Sequence, residues 1–351
     1  MSHDTIKTPA RGRGALENPT GRFERLEIQC EPESDEPGQI KTELFKDTSH
    51  SIISYNDSPD VGFSASLNPY RGCEHGCIYC FARPTHEYLG LSAGQDFESK
   101  IFVKMNAAAL LRKELAAKSW KPQVMAISGV TDCYQPVERK LGITRGCLEV
   151  LAEFRNPAVI ITKNHLVTRD IDILSRLAEH QAVKVMVSIT TLDPKLARVM
   201  EPRASRPDLR VRTVRELSEA GIPVGVMMAP LIPGLTDDEI PHLLETVAQA
   251  GANSVHYTIL RLPYGVKDLF QTWLEQHVPL KKNKVLHRIM EMRDGKLNDP
   301  EFGSRMRGNG AYAESIAQLF ALSRKRFGFN KAKKELSTAS FRKSSEQFSL
   351  F

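Results

Sequence analysis

Cysteine is scarce in this 351-residue chain, and what is missing around it narrows the chemistry early. Of the six cysteines, Cys30, Cys133 and Cys147 are dispersed, which leaves no basis for a disulfide framework or for a second three-cysteine ligand set. No second C-x2-C and no H-x3-H pair occurs, so the two separated ligand dyads of most structural zinc sites are absent. There is neither a Walker A pattern nor a G-x-G-x-x-G after an apolar strand, and nothing points to nucleotide hydrolysis or nicotinamide binding. Long apolar runs are missing too. The longest near-continuous one, Val224 to Leu235, is interrupted by Pro230, Pro233 and Gly234, and no basic-then-apolar leader opens the chain. The expectation is a soluble, cytoplasmic protein without a membrane partner, and unpaired thiols agree with a reducing compartment.

An excess of either charge is also absent from most of the chain. Lys and Arg number 48 against 42 Asp and Glu, a net charge of +6. The excess sits in residues 324–351, where Arg324, Lys325, Arg326, Lys331, Lys333, Lys334, Arg342 and Lys343 face only Glu335 and Glu346. With Phe327, Phe329 and Phe341 interleaved, this tail has the make-up to grip a phosphate backbone and stack bases; a solvated, disordered end is the alternative. Residues 1–25, with few apolar positions, read as a flexible arm carrying a short basic Arg11-Gly-Arg13 run. From Phe23 to Tyr55 charged and apolar residues mix without a period, which predicts an irregular extension packed on the main domain.

The chain's 41% hydrophobic content is enough for one large core, and between these ends short apolar runs alternate with helical patterns. Strands are predicted at Gly62–Leu67, Val124–Ser128, Val159–Thr162, Val183–Ile189, Pro223–Ala229 and Ser254–Leu260. Helices are predicted at Asn106–Ser119, Arg139–Phe154, Thr168–Gln181, Asp208–Ala220, Thr236–Ala250 and Val266–Gln276, with further helices to Met292 and from Ala311 to Arg326. This alternation is the signature of an α/β fold around a parallel sheet. Asp193-Pro194 reads as a helix start, Thr236 with Glu239 as a capping box, and Gly221 and Gly251 as left-handed helix ends.

The cysteine that is present is concentrated. Cys73-Glu-His-Gly-Cys77-Ile-Tyr-Cys80 puts three thiols on one short loop, the pattern of an iron–sulfur ligand set. Three thiolates hold three irons of a [4Fe-4S] cluster and leave the fourth open to a small molecule. A zinc ion held by the three cysteines and His75 or His86 is the alternative, although His75 reads as a loop residue between two ligands.

C-x3-C-x-φ-C, with Tyr79 before the last cysteine, resembles the signature of the radical S-adenosylmethionine (SAM) superfamily. Asn68-Pro-Tyr-Arg-Gly-Cys73, Val130-Thr-Asp132, Ile161-Thr-Lys163, Val187-Ser-Ile189 and Glu201-Pro are similar to its spore photoproduct lyase-like branch, over residues 60 to 265. The resemblance implies a (βα)6 partial TIM-type barrel with N- and C-terminal extensions, since six units are too few to close an eight-stranded barrel. The implied organisation is an arm and extension at 1–58, the radical SAM core at 59–278, a helical cap at 279–323 and the basic tail at 324–351.

The same resemblance implies a [4Fe-4S] cluster on Cys73, Cys77 and Cys80, SAM, and an electron donor such as flavodoxin or ferredoxin. It places Tyr79 near the adenine, Lys163 on the SAM carboxylate, Ser188 and Thr190 near the ribose, and Thr131 and Asp132 near the amino group, with Asp132 the better acceptor for an ammonium. Glu201, Arg203 and Arg212 stand where SAM-binding or mutually paired charges are expected, and Pro230–Gly234 resembles the adenine-proximal turn. Where the lyases carry a hydrogen-donating cysteine, counting back from Asp132, this chain has Gly129. Cys133 and Tyr134 are the nearby residues with a hydrogen atom to give. The expected function is reductive cleavage of SAM to a 5′-deoxyadenosyl radical acting on a large substrate, foremost a nucleic-acid lesion. Modification of RNA or protein is the alternative, and a non-catalytic, zinc-containing nucleic-acid-binding protein is the rival of another class.

Overall fold

The computed structural model describes residues 12–19, 21–23, 40–330 and 335–343. Cys30 and much of the arm lie outside the described residues. Ten strands form among those described: β1 (Glu43–Lys46), β2 (Ile53–Tyr55), β3 (Ala65–Leu67), β4 (Tyr70–Arg71), β5 (Lys100–Val103), β6 (Met125–Ile127), β7 (Ala158–Thr162), β8 (Val183–Ser188), β9 (Val224–Leu231) and β10 (Ser254–Ile259).

Seven of them make one sheet in the order β10-β9-β8-β7-β6-β3-β2. The six predicted strands are β3 and β6 to β10, each paired in parallel with its neighbour in the chain, and β2 adds an antiparallel edge beside β3. Because every crossover runs the same way and such crossovers are right-handed, the helices gather on one face and the strands curve around the other. β10 and β2 remain as edges, so the barrel is open.

The helices follow from their apolar stripes. Ile171–Glu179 buries Ile173, Leu174 and Leu177, and Ile240–Gln249 buries Leu243, Leu244 and Val247, each set one turn apart on a single face. Truncating a fully buried leucine such as Leu177 to alanine is expected to cost about 2–5 kcal/mol. Asp193 caps helix Pro194–Met200 by accepting from Lys195 N at 2.8 Å, and Gly221 and Gly251 take φ of 74° and 93°.

Several expectations are corrected. The run predicted as one helix from Arg139 is broken at Gly142, which adopts φ 64° between Glu138–Leu141 and Ile143–Phe154. Thr236 and Glu239 form no capping box. The Thr236 hydroxyl instead accepts from Ile232 N at 3.0 Å, while the Glu239 carboxylate accepts from Leu192 N at 2.6 Å and from the Thr191 hydroxyl. The irregular extension contains β1, which pairs with β5 and, through it, β4 in a second, three-stranded sheet. β1 is exposed along its length and shows no alternation; backbone pairing with β5 holds it, with Phe45 stacked on Phe102 at 5.2 Å.

The ends are also more ordered than composition suggests. Arg13 is buried, donating to Ile40 O at 2.7 Å and to the carbonyl of Glu98. Phe329 is 3% exposed within the main core, and Phe341 packs on Phe154 at 6.2 Å while Arg342 N donates to Phe154 O at 2.9 Å. Of the three tail aromatics proposed to stack bases, Phe329 and Phe341 are thus engaged by the protein, and Phe327 is partly buried against the same core. Helix Gly310–Arg326 lies against helix Ile240–Gln249, with Phe320 tilted against Tyr257 of β10 at 4.6 Å, and helix Ser304–Arg307 packs on β10, so the two cover that edge of the sheet. No helix of the described residues is long and apolar enough to cross a membrane.

Candidate active site at the carboxyl ends of the strands

The three-cysteine loop leaves β4 and is held almost entirely through its other residues. Arg83, fully buried, donates to Cys77 O at 2.9 Å, Gly76 O at 3.2 Å and Gly94 O at 2.9 Å, and pairs with Glu98 at 2.5 Å. Glu98 in turn accepts from the backbone N–H groups of Gly14 and Ala15, each at 2.8 Å, so the N-terminal segment straps the loop down. Gly76 takes φ 65°, and a Cβ there would meet Glu98 Oε2 at 2.8 Å. On the other side the Glu74 carboxylate accepts from Thr42 at 2.7 Å and Val137 N at 2.5 Å and meets Arg203 at 3.0 Å.

The thiols themselves are what the loop leaves to a ligand. Cys73 and Cys77 are buried, and burial pushes all three thiols up, most strongly Cys73 and Cys77. The backbone N–H of Asp132 against Cys73, and those of Ala82 and Arg83 against Cys80, act in the opposite sense. Three soft donors on one loop that is held through its other residues fit an iron–sulfur cluster. They do not fit the zinc alternative. Both nitrogens of His75 are engaged, Nδ1 with Asp132 at 3.3 Å and Nε2 with Asn164 at 3.2 Å. His86 turns its Nε2 to Lys100 O at 2.9 Å, between Phe97 and Phe102. Among the described residues no three His, Cys, Asp or Glu side chains converge as the ligands of a single ion do.

Beside the loop lies a buried charge network at the ends of β7 and β8. Glu201 follows helix Pro194–Met200, whose Met200 carbonyl accepts from Ile78 N at 3.0 Å and ties this loop to the cysteines. The Glu201 carboxylate accepts from the Tyr79 hydroxyl, from Thr190 at 2.9 Å and from Arg210, and it meets Lys163 at 3.3 Å. Burial alone raises its pKa, but Arg210 and then Lys163 hold it well below the usual carboxylate range. Lys163 also reaches Ala229 O at 3.1 Å and lies 5.7 Å from the centre of the Tyr79 ring. Tyr79, Lys163, Thr190 and Glu201, four of the expected residues, are therefore brought together. Ser188 enters through its backbone carbonyl, which accepts from Arg210 Nη1 at 3.1 Å.

Other expected residues do different work. The two oxygens of Asp132 accept from Tyr134 N, Thr162 Oγ1 and Lys163 N at 2.9, 2.8 and 2.7 Å and meet His75 at 3.3 Å, which fills their lone pairs and leaves none for an ammonium. Thr131 is buried and donates to Tyr70 O at 3.0 Å. Cys133 and Tyr134 are fully buried in the core; the Cys133 carbonyl accepts from Thr144 at 2.7 Å, and the Tyr134 hydroxyl donates to Asp170 at 3.0 Å. Their expected role as hydrogen donors is not consistent with this packing. Arg203 pairs with Glu74 rather than Glu201, and Arg212 is exposed and pairs with Glu216 along its own helix at 2.6 Å.

The residue that sequence reasoning missed is Arg210. In helix Pro207–Glu219 the buried positions are Pro207, Arg210, Thr213, Val214 and Leu217, so the i, i+4, i+7 stripe through Val214 and Leu217 already points inward at 210 and away at 212. The clamp pair Arg83 and Glu98 carried no comparable signal, since its partners come from separated segments.

Comparison with known proteins agrees with this geometry. The model of the Radical SAM superfamily matches residues 67–247, just over half of the chain. An uncharacterized protein of Mycobacterium tuberculosis is 36% identical over 262 residues, 74% of each chain. One of Methanocaldococcus jannaschii is 27% identical over 240 residues, 68% of this chain and 85% of its own. Among solved structures, a spore photoproduct lyase variant with bound AdoMet and dinucleoside spore photoproduct superposes with a TM-score of 0.56 at 15% identity, over 81% of this chain and 78% of the other. The last likeness is one of fold. With the motif, the open barrel and the family match in agreement, the chain belongs to the radical SAM superfamily, whose enzymes use a [4Fe-4S] cluster and S-adenosylmethionine.

Proposed function

We propose that Cys73, Cys77 and Cys80 ligate the cluster and that Tyr79, Lys163, Thr190 and Glu201 form the adjoining SAM pocket of an enzyme acting on a nucleic-acid lesion. The observation that carries the pocket is the network around Glu201. Two cations, Arg210 and Lys163, face one buried carboxylate, so the network keeps a surplus positive charge beside the cysteines. Lys163 directs its ammonium at Glu201, Ala229 O and, at a longer 3.4 Å, Thr190. The long contact is the one a SAM carboxylate would replace, because a charge-assisted bond is stronger than one to a hydroxyl. Tyr79, fixed by Thr190 and Glu201, offers its ring as an apolar wall.

When bound, the cluster and SAM supply an electron and the 5′-deoxyadenosyl radical that removes hydrogen from substrate. The chain's own residues hold and orient: the loop fixes the thiols, Lys163 anchors a carboxylate, and the buried walls exclude water. The nucleic-acid reading is supported by the fold shared with spore photoproduct lyase, a protein solved with a dinucleoside lesion, and by the open barrel, which admits a large substrate. Gly129 in place of a donor cysteine favours a second reading, modification of RNA or protein, in which no returned hydrogen is needed. A one-electron donor of the flavodoxin or ferredoxin kind is required in either case.

Anaerobic reconstitution followed by iron and sulfide analysis, then dithionite and SAM, tests this. About four irons per chain and 5′-deoxyadenosine formation, both lost in Cys77→Ala, are expected. A colourless protein without 5′-deoxyadenosine would overturn the assignment of the cysteines.

A further inference from the structure

Past the end of β10, Arg261 stands between the buried Leu260 and Leu262 and projects beside the cysteine loop. Its guanidinium lies 5.5 Å from the ring centre of Phe81, the residue after Cys80, and that ring is 49% exposed. Two more arginines stand next to Arg261. Arg293 is 3% exposed, with Nη2 on Leu260 O at 2.6 Å and Arg305 O at 3.1 Å. Arg305 pairs with Asp60, which also accepts from Gly303 N at 2.6 Å.

The anions nearby are already used. Asp60 belongs to Arg305, and Asp299 accepts from Ser304 Oγ at 2.5 Å and Glu301 N at 2.8 Å. No carboxylate of the described residues lies within ion-pair distance of Arg261 or Arg293. The Nε of Arg261 and both Nε and Nη1 of Arg293 are buried without a hydrogen-bond partner. Burial, and for Arg261 also Arg305 and Arg293, lowers the pKa of both groups, outweighing the opposing pull of Asp299 on both and of Asp60 on Arg261. Native proteins rarely leave buried guanidinium donors unpaired, and two such groups at a barrel mouth call for an anion with several acceptor oxygens.

We infer that Arg261 and Arg293, with Arg305 beside them, form a phosphate site that takes a backbone phosphate of the substrate and sets the target nucleotide against the exposed ring of Phe81. The inference rests on the nucleic-acid reading above and names the contact that would make it specific. A tetrahedral oxyanion meets the Nε and Nη edges of two guanidinium groups at once, and an aromatic ring beside it gives the adjacent base a face to stack on.

The test uses the reconstituted holoprotein and Arg261→Gln, with Arg261→Lys as the charge-keeping variant and matched circular dichroism and iron content as the check of folding. Binding of a fluorescent single-stranded oligonucleotide is followed by anisotropy against salt. In parallel, thermal unfolding is compared in inorganic phosphate and in chloride at equal ionic strength. Arg261→Gln is expected to bind about tenfold more weakly, with a salt slope smaller by about one, and Arg261→Lys to fall between. Phosphate is expected to raise the unfolding temperature of the parent and not that of Arg261→Gln. Unchanged affinity and slope in Arg261→Gln would overturn the site. If the parent binds no oligonucleotide but phosphate still stabilises it through Arg261, the site stands and the nucleic-acid reading fails. If neither probe binds, the site itself is overturned.

Discussion

Lys163 and Glu201 meet at 3.3 Å beside the ring of Tyr79, one from the end of β7 and the other from the loop after helix Pro194–Met200. Neither is near the other in the chain, and the barrel brings them together next to the cysteines. Arg210 closes the network from behind, so a single carboxylate orients two cations and a phenol.

Removing that carboxylate leaves the cations buried and unpaired. Glu201→Gln is expected to destabilise the holoprotein by about 3–5 kcal/mol, measured by denaturant unfolding. Arg210→Met in the same background should recover part of the loss. Equal stability of Glu201→Gln and parent would show that the network carries no net energy.

The N-terminal strap predicts a cluster-retention phenotype. A Cβ on Gly14 would run into the Gly76 carbonyl, whereas one on Gly62 meets nothing within 4 Å. Gly14→Ala should lose iron to a chelator faster than the parent and Gly62→Ala at the parent rate. Identical rates in all three would detach the strap from the cluster loop.

Cys133 is core packing, so Cys133→Ala should keep 5′-deoxyadenosine formation and lower stability by about 1 kcal/mol. Formation of 5′-deoxyadenosine with the substrate-derived product lost or altered, at unchanged stability, would restore it as a hydrogen donor, because a donor acts only after hydrogen has been taken from the substrate.

Arg203 and Arg212 separate cleanly. Arg212→Ala removes an exposed i,i+4 pair and should change stability by less than about 0.5 kcal/mol. Arg203→Ala withdraws the cation from Glu74 and should weaken iron retention as well as stability. If Arg212→Ala also lowers iron content, its helix carries more of the site than its exposed face implies.

Sequence alone determined the parts whose signal is local. Three thiols at C-x3-C-x2-C fall on one loop whatever the fold, and six apolar runs alternating with helical stripes emerge as six neighbouring parallel strands because period and crossover handedness leave little choice. Tyr79, Lys163 and Thr190 were legible because each stands beside a cysteine or just past a strand end, and Glu201 through the Glu201-Pro pair after a predicted helix start. What only the tertiary structure decided is how charges and donors are paired. Asp132 looks like a free acceptor until four donors from β7, its own loop and the cysteine loop converge on its oxygens. Arg210 rather than Arg212 faces Glu201 because a helix turns 100° per residue, which puts those two side chains on nearly opposite faces. β1 and the packed tail were illegible for the same reason: they are held by backbone hydrogen bonds and by contacts to distant residues, and neither leaves a periodic mark in the sequence that makes them.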